Sequence, residues 1–366
     1  MVLGARRLLS ACILALVVAP PAGAATRVGF YDFPVEGGGA SHFVLSVNAD
    51  GPSSSDIAVI PAPAGPGGAV VLTVTERGAA LEVGARCVAL DSQTARCEAT
   101  PSPDLPFDEV AVFMPDAGGR ADLRALSDRA LSATLVGGLN TDVLGMSAGQ
   151  NSIKAMSAFA TEGAGDVMEG GSGRDTILSG PGPDRIDGKG ERDRLEYYDR
   201  ELGIRVNLGR GTAGDGDTLS EIERVRGSAF RDILIGDDLR NELVGYGGND
   251  RLEGRGGDDS LVADPGRRGR SGYDDELLGG DGNDRLDGGR GPDRILGGRG
   301  TDLLIGGPGH DLVAGGPGGD RFFSGGGNDR VVTRDRLGEP VDCQDGRNDR
   351  VRADPRDRLS SCERRF

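Results

Sequence analysis

The sequence predicts an all-β protein in which a parallel β-roll follows a small β domain. Three observations carry that prediction. From Gly279 to Val332 the chain repeats every nine residues: GGDGNDRLD, GGRGPDRIL, GGRGTDLLI, GGPGHDLVA, GGPGGDRFF, SGGGNDRVV. Such a period belongs to a solenoid, whose units bury their apolar residues only by stacking on their neighbours. Within each copy the apolar residue of slot eight stands between polar neighbours, a period of 2 that marks a strand. Aromatics make up only 4% of the chain and tryptophan is absent, so the repeats lack the bulk for a conventional globular core.

Each slot has its own task. Glycines in slots one, two and four allow a turn with positive φ, so its carbonyls curl towards one point. The slot-six aspartate sends a carboxylate to the same point. Carbonyl and carboxylate oxygens are hard ligands, which select calcium over softer metals. Two copies complete one coil, so residues eighteen apart stack. Asp275, Asp293, Asp311 and Asp329 then line one side, and Asp284, Asp302 and Asp320 the other. At a strand spacing of roughly 4.7–4.9 Å, neighbouring carboxylates repel by about 3–4 kcal/mol. A calcium ion between them reverses the sign. The metal-ligating glycines expected in this run are Gly279, Gly280, Gly282, Gly288, Gly289, Gly291, Gly297, Gly298, Gly300, Gly306, Gly307, Gly309, Gly315, Gly316, Gly318, Gly325 and Gly327.

From the N-terminus, residues 1–24 read as a secretory signal peptide. Arg6 and Arg7 are its charged region, Leu8 to Ala19 its apolar region, and Ala22-Gly23-Ala24 its cleavage site. The apolar stretch is too short to span a membrane. Residues 26–125 form a small all-β domain or cap, with strands expected at Arg27–Phe33, Phe43–Asn48, Ile57–Pro61, Ala69–Thr75 and Glu109–Met114;. Cys87 and Cys97 bracket a hairpin turning near Asp91-Ser92. A first roll block covers 130–196, a non-repeat insertion 197–231, a second roll block 232–332, and a C-terminal cap 333–366. Once Cys12 leaves with the signal, four cysteines remain. Of the three possible connectivities, local pairing as 87–97 and 343–362 is favoured.

The repeat residues resemble the hemolysin-type calcium-binding repeats, also called RTX repeats, whose fold is a parallel β-roll. That resemblance implies calcium bound in the turns between layers, and it covers most of 137–332. GGSGRDTIL (170–178), SGPGPDRID (179–187) and GKGERDRLE (188–196) place Asp175, Asp184 and Asp193 in slot six, with Asp166 one step earlier. Gly170, Gly171, Gly173, Gly180 and Gly182 are their turn glycines. Glu191 replaces the slot-four glycine, which puts that turn in doubt. Asp142 in GGLNTDVLG is a fainter copy. Residues 197–254 are similar to a segment of the serralysin-type C-terminal calcium-binding domain, through Val206-Asn207-Leu208, Gly216-Asp217-Thr218-Leu219, Ile222-Glu223 and Gly227-Ser228. The beat resumes at Asp232, Asn241, Asp250 and Asp259, and a seven-residue insertion within 263–269 precedes Asp275.

One buried aliphatic side chain per repeat is worth roughly 1.5–3 kcal/mol, against an ordering cost on the order of 9–18 kcal/mol for nine backbones. The repeats are therefore expected to fold on calcium and to be largely unfolded without it. The net charge of −16, from 58 acidic and 42 basic residues, argues against a nucleic-acid partner;. The function expected is a secreted, calcium-binding, non-catalytic protein with a structural or adhesive extracellular role and a cell-surface or matrix partner. A second reading makes 26–125 a glycan- or protein-binding module on a calcium-stiffened spacer. A third is a hydrolase. Gly145-Met146-Ser147-Ala148-Gly149 matches a nucleophile elbow;. The only later histidine, His310, occupies slot five of a repeat, and His42 has no recognisable partner. The His-Glu-x-x-His of a zinc protease is absent.

Overall fold

The computed structural model describes the strands between residues 25 and 154, and residues 165–365 except 181, 215, 267–271, 345–347 and 363. The signal region, Ser147 and the hairpin tip at Asp91-Ser92 lie outside the described residues, as does the His42 side chain. Strands dominate throughout. Among the described residues the one helical element is the 3-10 turn Leu208–Arg210. No helix among them is long and apolar enough to cross a membrane. The chain forms two compact units that divide between Glu191 and Arg192.

In the first unit two parallel ladders run side by side. One orders His42–Asp50, Phe107–Phe113, Ser132–Val136, Asn151–Lys154 and Thr176–Leu178. The other orders Ser55–Pro61, Gly119–Asp122, Asp142–Gly145, Val167–Glu169 and Arg185–Asp187. Antiparallel strands cover the start of both. Ala25–Phe33 pairs with His42–Asp50, and Val70–Glu76 pairs with Ser55–Pro61. The five strands expected before residue 114 are all present, within two residues of their expected ends. Cys87 and Cys97 are register partners across an antiparallel pair.

The second unit repeats the plan. Arg194–Glu196, Arg224–Arg226, Glu242–Val244, Ser260–Val262, Arg285–Asp287, Leu303–Gly309, Arg321–Gly327, Pro340–Asp342 and Arg358–Ser360 form one parallel ladder. Arg205–Asn207, Ile233–Ile235, Arg251–Gly256, Glu276–Asp281, Arg294–Arg299, Leu312–Ala314, Arg330–Val332, Arg350–Arg352 and Arg364–Arg365 form the other. Residues 197–231 lack the nonapeptide, yet two of their strands are rungs of these ladders. Val206 and Val225 are fully buried where slot-eight residues sit elsewhere. Arg251–Gly256 pairs with Glu276–Asp281, and Ser260–Val262 with Arg285–Asp287, so the seven-residue insertion leaves the register on both sides intact.

The core of the repeats is built from slot-eight side chains, one file from each ladder. Leu252, Leu261, Leu277, Leu286, Ile295, Leu304 and Val313 are fully buried, and their flanking residues are partly or fully exposed. A three-residue strand can turn only one side chain inward, so the alternation follows from the pleat. Each of these side chains gains about 1.5–3 kcal/mol from burial.

Candidate metal centre

The turn Gly297-Gly298-Arg299-Gly300-Thr301-Asp302 shows how the repeat builds a site. A Cβ on Gly297 would lie 2.3 Å from Asp302 Oδ2 and 2.7 Å from the Gly315 carbonyl of the next coil. Those two oxygens thus converge on the slot-one α-carbon, and only glycine leaves room for them. Gly298 has φ 119° and Gly300 φ 132°, in the left-handed region that favours glycine;. With that rotation the Gly298 N–H turns away from the carboxylate and donates to the Gly315 carbonyl at 2.7 Å.

The aspartates connect coil to coil. The N–H of Asp284 donates to Asp302 Oδ1 at 2.8 Å, and that of Asp302 to Asp320 Oδ1 at 2.9 Å. On the other side Asp275 donates to Asp293 at 3.0 Å, Asp293 to Asp311 at 2.9 Å and Asp311 to Asp329 at 2.9 Å. Both ladders cross the insertion, from Asp250 to Asp275 at 2.7 Å and from Asp259 to Asp284 at 2.8 Å. The two stacked rows expected from the eighteen-residue spacing are therefore present. Oδ1 is occupied in each case. Oδ2 of Asp250, Asp259, Asp275, Asp284, Asp293, Asp302 and Asp311 is buried with no hydrogen-bond partner. These residues are at most 3% exposed.

Burial without a counter-charge raises these carboxyls far above their usual range. Asp250 is pushed up to about 9 and Asp293 to about 8. Asp259, Asp275, Asp302 and Asp311 are pushed to about 7, and Asp284 to about 6. Desolvation is the main cause throughout. The donated N–H opposes it, and neighbouring aspartates add to it. Such a group must either hold a proton or meet a cation. An unsatisfied carboxylate oxygen beside turn carbonyls is a hard donor set, and it fits calcium. Among the described residues no three His, Cys, Asp or Glu side chains gather into a cluster of their own. One carboxylate per turn, completed by carbonyls, is the donor set this chain offers.

The model of the RTX calcium-binding nonapeptide repeat matches four segments: 162–195, 235–267, 271–295 and 296–331. The chain carries RTX repeats. No curated protein matches it. Calcium supplies positive charge between the stacked carboxylates when bound; the residues above would hold it.

Not every RTX turn has this open form. In the turn 170–175 the Gly171 N–H donates to Asp175 Oδ2 at 2.7 Å. Asp184 takes the Asp166 N–H on Oδ1 at 2.9 Å and the Ser179 hydroxyl on Oδ2 at 2.8 Å. Asp232 takes the Ile204 N–H and the Ser228 hydroxyl on Oδ1, each at 2.8 Å, and the Ser228 N–H on Oδ2 at 2.6 Å. Asn241 accepts the Asp237 N–H at 2.8 Å, so the oxygen it kept from the repeat is committed inside the protein. Gly171, Gly180, Ser228 and Asp237 hold slot two without a left-handed φ. In the open turns whose slot two is described, that residue is left-handed even where it is not glycine: Tyr246 has φ 84° and Arg255 φ 79°. The sign of φ at slot two thus decides where its N–H points, and so whether the carboxylate is satisfied by the chain. The turn at Glu191 is left-handed at slots two and four, with Lys189 at φ 77° and Glu191 at φ 66°.

The residues that interrupt the repeat in 197–231 have structural tasks. Asn207 accepts the Arg210 N–H and starts the 3-10 turn. Asp217 accepts the buried Tyr197 hydroxyl at 3.2 Å. Glu223 takes the Asp193 N–H at 2.8 Å, standing in for a slot-six aspartate. His310 accepts the Asn328 N–H at 2.9 Å on the exposed edge, just as Asn283 accepts the Thr301 N–H at 2.8 Å. This histidine belongs to a surface ladder of slot-five side chains.

Sequence reasoning ended the rows at Asp329, and the structure carries them further. Asp320 donates its N–H to Glu339 Oε1 at 2.9 Å, Asp329 to Asp349 Oδ1 at 2.8 Å, and Glu339 to Asp357 Oδ1 at 3.1 Å. Slots one, two and four hold no glycine there. An acid-x-aliphatic-x tetrad survives, in Glu339-Pro340-Val341-Asp342, Asp349-Arg350-Val351-Arg352 and Asp357-Arg358-Leu359-Ser360. That tetrad was the available signal. Cys343 and Cys362 are disulfide-bonded at the end of the stack, with Cα atoms 5.2 Å apart.

Proposed function

We propose that this protein is exported through the general secretory route and folds on calcium outside the cell. Its roll then serves as a rigid structural or adhesive element. The observation that carries this reading is the continuous stack of buried aspartates whose second oxygen has no partner. At neutral pH such a stack is destabilised by its own charge, and divalent cations remove that penalty. Calcium is scarce inside cells and abundant outside, so folding would follow export. The signal-like residues 1–24 and the even count of cysteines downstream agree with that compartment. We read Cys87 and Cys97 as a second disulfide.

The strands before residue 114 supply the first rungs of both ladders, which supports a capping role for this region over an independent recognition module. Circular dichroism and thermal melting of the full chain, in calcium chloride and in a chelator, test the reading. A cooperative transition that appears only with calcium is expected. Identical spectra and melting temperatures in the two conditions would overturn it.

A further inference from the structure

Beyond Val332 the nonapeptide is lost and the family match has ended at residue 331, yet one carboxylate still behaves like those of the open turns. Glu339 is 1% exposed. Its Oε1 accepts the Asp320 N–H at 2.9 Å, the bond each stacked aspartate makes through Oδ1. Its Oε2 is buried without a hydrogen-bond partner. Nineteen residues separate it from Asp320 instead of eighteen, and the longer glutamate side chain spans the extra residue.

The next acid, Asp357, is different. Its Oδ1 takes the Glu339 N–H at 3.1 Å, and its Oδ2 takes the Thr333 hydroxyl at 2.6 Å together with the Asp354 N–H. Both of its oxygens are satisfied by the chain, as at Asp232. On this side of the roll the open carboxylates therefore run through Asp259, Asp284, Asp302, Asp320 and Glu339. Asn241 and Asp357 close the two ends.

We propose that Glu339, together with Asp320, forms a further calcium site that lies outside the RTX repeats, in the C-terminal cap. This rests on the calcium reading of the repeats given above. Asp335 stands nearby. Its Oδ2 takes the Gly318 N–H at 3.0 Å and its Oδ1 the Leu337 N–H at 2.8 Å. Asp320 Oδ2 and Glu339 Oε2 are both buried without a hydrogen-bond partner, and two such oxygens on residues joined by the Asp320 N–H bond to Oε1 are a hard donor pair that fits a cation;. A cation here would tie the last open RTX turn to the segment that the Cys343–Cys362 disulfide holds. The metal stack would then end inside the cap.

Glu339→Gln separates these possibilities. Glutamine keeps the oxygen that accepts the Asp320 N–H and replaces the orphaned oxygen with a donor that can bond Asp320. Calcium bound per chain is measured by equilibrium dialysis on the full wild-type chain and the variant, with circular dichroism to verify that each is folded in calcium. The variant is expected to bind one calcium fewer. It should melt lower than wild type in saturating calcium, and no lower than wild type in chelator. An unchanged calcium count overturns the site and assigns the pair a shared proton. A melting temperature lowered equally in calcium and chelator also overturns it, because that is the signature of a merely structural glutamate. Wild-type protein that binds no calcium overturns the broader reading along with this one.

Discussion

The backbone N–H of Asp293 donates to Oδ1 of Asp311 at 2.9 Å, while Oδ2 of Asp311 has no partner and is fully buried. One carboxylate thus joins two coils through one oxygen and holds the other ready. The two oxygens are separable by mutation. Asp311→Asn keeps the acceptor for Asp293 and removes the charge. Its calcium midpoint is expected to rise by roughly tenfold or more, equivalent to about 1.4 kcal/mol per decade. Its melting temperature in chelator should stay level or rise. A calcium titration followed by circular dichroism checks this, and an unmoved midpoint would count against Asp311 as a ligand.

Metal-free protein should show an inverted pH dependence. Aspartates in an unfolded chain titrate near about 3.9, whereas those of the metal-free roll titrate between about 6 at Asp284 and about 9 at Asp250. Because the folded values are raised, the stability is full below the unfolded value and is lost as pH rises through the folded ones. The chelated roll is therefore expected to be most stable near pH 4 and to lose stability progressively from there up to about pH 9;. Calcium should abolish that loss and release protons on binding. Melting curves in chelator across this range decide the matter; stability that climbs with pH would contradict it.

The closed turns should respond differently from the open ones. Ser228 gives Asp232 both its N–H and its hydroxyl, so this turn is complete without metal. Ser228→Ala removes the hydroxyl's bond to Asp232 and the acceptor of the Phe230 N–H, and should cost about 1–3 kcal/mol, equally in calcium and in chelator. Asp311→Asn should cost stability only in calcium. Chemical denaturation of both variants under both conditions makes the comparison, and a calcium-dependent loss in Ser228→Ala would refute the closed assignment.

Glycine positions differ sharply in what they tolerate. Gly297→Ala places a methyl group 2.3 Å from Asp302 Oδ2 and should disrupt that turn, raising the calcium midpoint. Gly326→Ala meets nothing within 4 Å and should leave the midpoint unchanged. Equal effects from the two would mean that glycine acts through the unfolded chain alone.

The Cys343–Cys362 bond closes a loop with a sequence separation of 19. Replacing both cysteines with serine should destabilise the C-terminal rungs by about 3 kcal/mol. Hydrogen exchange localised to 340–360 would report it, and protection unchanged there would exclude a capping role for the bond.

Much of this molecule is written in its nine-residue period. Asp and aliphatic slots fix which side chains turn inward, and two repeats per coil fix that Asp275 lies under Asp293 and Asp284 under Asp302. Both follow from local turn and strand geometry, so a single sequence suffices. The strands of 197–231 were not legible in this way. Arg205–Asn207 and Arg224–Arg226 become rungs through hydrogen bonds to distant coils, with Glu223 taking the place of an aspartate thirty residues after Asp193. Which turns are open was also left to tertiary structure. Gly171 and Gly298 occupy the same slot, but only Gly298 is left-handed, and the peptide's direction is set by the coil it meets. Glu339 shows the same division. Its acid-x-aliphatic-x tetrad is visible in the chain, but its burial against Asp320 arises only when the coils stack. Hydrogen bonds between layers, not local preference, decide the fate of each carboxylate.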